Sequence, residues 1–91
     1  MQTNEEEQMI NRGENAEVLL GTEAFTMTIN SMVDATFQAF CNTKPEEPEA
    51  RERAYSHYRA LVDIVSTLQQ QVSVKNEINA KNERDNNEEV E

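Results

Sequence analysis

The sequence has few residues that form turns or cross-links: it contains two glycines, two prolines, one cysteine and no tryptophan in 91 residues. This scarcity, with 36% hydrophobic and 5% aromatic residues, favours helices over a sandwich or barrel, whose many turns need Gly and Pro. The single Cys41 cannot form an intramolecular disulfide. No apolar run approaches the ~20 residues that span a bilayer, and residues 1–8 lack the order of a signal peptide. We therefore predict a soluble, unexported all-α protein.

Basic residues are also scarce. The sequence has eight Lys and Arg residues and eighteen Asp and Glu residues, which gives a net charge of −10. Direct binding to nucleic-acid phosphates requires Lys and Arg side chains, so the excess of acidic residues disfavours nucleic-acid binding. The acid is concentrated at the two ends, with a net charge of −4 in residues 1–20 and −4 in residues 82–91. We expect protein partners, with no direct contact to nucleic acid or membrane.

The most regular pattern is a 3-4 repeat of apolar residues, which we call the seam. The seam consists of Ala54, Tyr58, Leu61, Val65, Leu68 and Val72. Residues three and four apart share one face of a helix, so another helix must cover the seam. Val62 and Ile64 widen it beyond a two-stranded coiled-coil strip, which favours contact with more than one helix. The seam predicts a protein that is built to pack or assemble.

Helix-breaking Gly and Pro residues, together with the periodicity of apolar residues, predict three helices. Gly21 is expected to end a first helix at about 12–20 in a left-handed conformation. A second helix is expected at about 23–42, and a third at about 48–81 with Pro48 at its first position. The short connection between the second and third makes them antiparallel neighbours. The expected fold is an antiparallel helical hairpin with a short N-terminal helix.

The expected helical domain covers residues 9–81 and lies between two acidic segments. Residues 1–8 and 82–91 have the composition of disordered tails. The third helix outreaches the second, and we expect its C-terminal half to be covered by a second copy or a different protein. The chain is therefore expected to be oligomeric.

The start of the long helix carries the only basic and aromatic patch in the chain. Arg and Tyr are frequent anchors of protein interfaces. Arg51 is equally well placed to pair with carboxylates along the same helix, such as Glu47, and both interpretations stay open. The candidate interface residues are Arg51, Tyr55, Tyr58, Leu61, Val65, Leu68 and Val72.

No pattern of residues points to catalysis or to a cofactor. His57 is the only histidine, and Ser56 beside it points about 100° around the helix, unlike a nucleophile with its base. One Cys and one His supply no metal-ligand spacing, and no Gly-rich phosphate loop is present. We predict a non-enzymatic protein with no catalytic residue, metal site or cofactor, in which Cys41 is a small buried hydrophobic residue.

Three motifs resemble small acidic proteins encoded among the structural and packaging genes of tailed bacteriophages. The first, R-G-x-x-A-x-x-L-L with a following Phe, covers residues 12–25. The second, an aromatic residue followed shortly by N-T-x-P, covers residues 40–45, and A-R-E-R-x-Y covers residues 50–55. The chain differs from the pattern at Phe40, where a Trp is expected, and in its C-terminal stretch. The resemblance implies a phage-encoded accessory protein without a catalytic role.

We therefore expect a homo-oligomer in the host cytoplasm or the virion that assembles through the seam. It would dock on a larger phage structural or packaging protein during particle assembly or genome packaging. The alternative is an acidic inhibitor of a host or defence protein, in which carboxylates stand in for nucleic-acid phosphates. Mimicry is the less favoured, because the acids concentrate in expected tails and a loop rather than along a rigid surface.

Overall fold

The structure is a computed structural model that describes residues 3–90, with the side chains of residues 3–87. Within this range the chain forms three α-helices and no strand. Helix α1 spans Asn4–Leu20, α2 spans Glu23–Cys41 and α3 spans Pro48–Val90. The all-α class predicted from composition is confirmed.

Helix α1 begins at Asn4, well before the expected start near residue 12. The Thr3 hydroxyl oxygen accepts a hydrogen bond from the Glu6 backbone N–H at 3.0 Å, and the hydroxyl lies 3.4 Å from the Glu6 carboxylate. This Thr-x-x-Glu pair is a variant of the capping box, which satisfies backbone donors at the start of a helix. Residues 4–8, expected to be disordered, are therefore helical because a cap precedes them.

Helix α3 continues to Val90 rather than ending near residue 81. No Pro or Gly follows Pro48 in the sequence, so no residue type that stops a helix is available. Glu77, Lys81 and Asp85 are also spaced four apart, which favours a helix through opposite charges on one face. The segment 82–90 is helical in place of the expected disordered tail. Of the two expected tails, residues 1, 2 and 91 lie outside the described residues.

The connection between α1 and α2 is short and differs in detail from the expected one. No described residue has a positive φ angle, so Gly21 does not adopt the left-handed conformation. Thr22 is the N-cap residue of α2, with extended backbone angles of φ −84° and ψ 121°, and its side chain makes no capping hydrogen bond. The Thr22 carbonyl oxygen instead accepts the backbone N–H of Thr26 at 3.1 Å. The chain passes from α1 to α2 through Gly21 and Thr22 without a left-handed residue.

The helices form two compact units that share α3. The terminal unit comprises residues 1–20 and 67–91, so it combines α1 with the C-terminal part of α3. The central unit comprises residues 21–66, so it combines α2 with the N-terminal part of α3. Each unit contains its own buried residues. These are Ile10, Gly13 and Ala16 in the terminal unit, and Ala54 and Leu61 in the central unit.

The terminal unit is held by a close approach of α1 to α3 at Gly13. A Cβ atom at Gly13 would lie 2.7 Å from the carbonyl oxygen of Gln71 and would overlap the side chain of Lys75. Glycine is needed here because only its backbone leaves room for the neighbouring helix. The Lys75 ammonium group pairs with the Glu17 carboxylate, and the Lys75 side chain is only 12% exposed. Steric fit and an ion pair thus join the two segments at one place.

A candidate protein-interaction groove

Most of the seam is covered within the chain's own units. Ala54 and Leu61 are buried in the central unit, where Val65 is half-buried. Leu68 and Val72 are half-buried in the terminal unit, which also contains α1. The expectation that the C-terminal part of the long helix lacks a partner in its own chain is therefore corrected. It rested on the overhang of the third helix beyond the second, whereas α1, with 17 residues, packs against that part of α3.

The central unit carries a groove between α2 and α3 that we call the aromatic groove. Its lining residues are Thr36, Phe37, Phe40, Tyr55 and Tyr58. The groove has a volume of about 310 Å³. Phe37 is 60% exposed and Tyr55 is 54% exposed, while Phe40 and Tyr58 are exposed to a lesser degree. Four of the five aromatic residues of the chain thus meet at one open surface.

Helical geometry explains why Phe37 is exposed. The half-buried side of α2 contains Phe25, Ile29, Val33 and Thr36, which recur at spacings of three and four. Phe37 follows Thr36 by one residue and therefore lies about 100° further around the helix. The structure therefore places Phe37 at the edge of the packed side, and this one-residue offset was the signal in the sequence for an exposed aromatic residue.

Two predicted interface residues, Tyr55 and Tyr58, line the aromatic groove from the α3 side. The third residue of the predicted patch, Arg51, is used within the chain. Its guanidinium donates a hydrogen bond of 3.1 Å to the carbonyl oxygen of Lys44, in the connection between α2 and α3. Further along α3, the guanidinium of Arg59 pairs with the carboxylate of Asp63 at 3.3 Å. Arg51 thus holds the connection between α2 and α3.

Among the described residues, those that line the aromatic groove are uncharged. A second hollow beside it is lined by Phe40, Arg51, Glu52, Tyr55 and Ser56. The surface therefore grades from aromatic carbon at the centre to groups of both charge signs at the edge. This is the composition of a protein interface, in which aromatic anchors are surrounded by a polar rim.

The remaining candidate residues of the central unit do not form a reactive centre. His57 is exposed and lines a shallow hollow with Met32 and Leu61. Cys41 is exposed, contrary to the expectation that it is buried. It is the last residue of α2 and lies about 100° around the helix from Phe40, off the packed side.

A search of the described residues found no group of three or more His, Cys, Asp or Glu side chains that could hold a metal ion. In the same part of the chain, no helix is long and apolar enough to cross a membrane. Comparison with known proteins found no matching family model, no matching curated protein and no matching solved structure. The function must therefore be argued from the chain's own surfaces.

Proposed function

We propose that this chain is a non-enzymatic accessory protein of a tailed bacteriophage that forms a homo-oligomer and docks on a larger phage structural or packaging protein. It would act during particle assembly or genome packaging, in the host cytoplasm or the virion. The observation that carries the proposal is the aromatic groove, an open apolar surface with a charged rim on a small helical protein. Surfaces of this kind mark sites of protein association.

The resemblance to small acidic phage proteins supplies the phage context of the proposal. Two of its three motifs, at residues 40–45 and 50–55, include residues that line or support the groove. Phe40 and Tyr55 line it directly, and Arg51 donates a hydrogen bond to the connection between α2 and α3. The same residues therefore support both the resemblance and the interaction surface.

The proposed arrangement of the central unit is an antiparallel hairpin of α2 and the start of α3. Its support is the pairing of residues across two hollows. Late residues of α2, such as Phe40, share a hollow with early residues of α3, such as Tyr55. The earlier Met32 shares a hollow with the later Leu61. In a pair of antiparallel helices, later residues of one helix are expected to lie beside earlier residues of the other.

The proposal is tested by following the chain during infection with the phage that encodes it. The chain would carry an affinity tag, and its amount would be measured by mass spectrometry in purified virions, immature particles and free host protein. We expect it to sediment with virions or immature particles. Recovery with a host protein alone, with none in any particle, would contradict the proposal.

A second candidate function, an acidic inhibitor of a host or defence protein, is favoured by one observation. The acids at the two chain ends lie largely on helices, since Glu5, Glu6 and Glu7 form the first turn of α1. The terminal unit has eleven acidic and four basic residues, a net charge of −7. A helical scaffold can present carboxylates at fixed spacing, which mimicry of nucleic-acid phosphates requires.

Salt dependence separates the two candidates once a partner has been recovered. Screening shortens the Debye length from about 10 Å at 0.1 M to about 3 Å at 1 M ionic strength. Association through the aromatic groove should persist at roughly 0.5 M salt, because apolar contact is not screened. A phosphate mimic should lose its partner at that salt concentration, and should also lose it when Glu5, Glu6 and Glu7 are changed to Gln.

A further inference from the structure

We draw no further inference here: the strongest candidate, the aromatic groove between α2 and α3 in the central unit, carries nothing beyond the proposed function, because nothing in the structure shows what covers it.

Discussion

Replacement of Gly13 by alanine tests the close approach that builds the terminal unit. In an isolated helix, Gly→Ala stabilises by about 1 kcal/mol, because glycine loses more backbone entropy. Here the added methyl group would lie 2.7 Å from the carbonyl oxygen of Gln71 and overlap the side chain of Lys75. A backbone oxygen cannot rotate away as a flexible side chain can, so α1 must move from α3.

Crowding of a packed site by one methyl group costs about 1–3 kcal/mol, and separation of the helices also strains the Glu17–Lys75 ion pair. We expect the steric cost to exceed the gain in helix propensity, with a net loss of roughly 1–2 kcal/mol in the free energy of unfolding. For a domain of this size the melting temperature should fall by roughly 5–15 °C.

The assay is thermal unfolding followed by circular dichroism at one fixed protein concentration, since dimer formation would make the melting temperature depend on concentration. The control is Asn15→Ala, an exposed position two residues further along α1. It adds alanine propensity without a steric conflict and should be neutral or slightly stabilising. If Gly13→Ala is as stable as Asn15→Ala, the close approach at Gln71 and Lys75 is not part of the folded protein.

Three further substitutions test other contacts. Leu68→Asp should lower the free energy of unfolding by about 2–5 kcal/mol in urea titrations, because it places a carboxylate at a half-buried position; unchanged stability would mean that solvent covers this part of the seam. Arg51→Gln should cost about 1 kcal/mol through loss of its hydrogen bond to Lys44, and an equal effect of Arg53→Gln, at an exposed site, would refute that assignment. Thr3→Ala should destabilise the start of α1 by about 1 kcal/mol, seen as faster amide exchange there, and unaltered exchange would show that the cap is not formed.

Periodicity and the scarcity of Gly and Pro were enough to predict an all-α chain, because both depend on local backbone preference. The ends of the helices were harder to predict. The capping pair of Thr3 and Glu6 was present in the sequence but was outweighed by the acidic composition around it. At the other end, the acidic composition predicted disorder, whereas the absence of any helix-breaking residue after Pro48 favoured a continued helix. In the structure the helix continues to Val90.

The candidate site was predicted only in part, for a reason that lies in tertiary structure. Tyr55 and Tyr58 were identified because they cluster in sequence on one helix. Phe37 lies on a different helix, and its position opposite Tyr55 depends on how α2 meets α3. Likewise, the requirement for glycine at residue 13 could not be predicted from the sequence, since Gly13 and Gln71 lie far apart in the chain. Helix propensity alone predicts that glycine destabilises α1, whereas the close packing of α1 on α3 requires glycine at this position.

The composition of the terminal unit has a consequence for the order of events on the ribosome. Its two segments, residues 1–20 and 67–91, are separated in the sequence by the whole of the central unit. At about 5–20 residues per second, α1 leaves the ribosome seconds before its partner segment has been synthesised. The central unit is continuous in sequence, so it can close while α1 still waits. Docking of α1 around Gly13 must therefore wait until residues 71–75 of α3 have been synthesised.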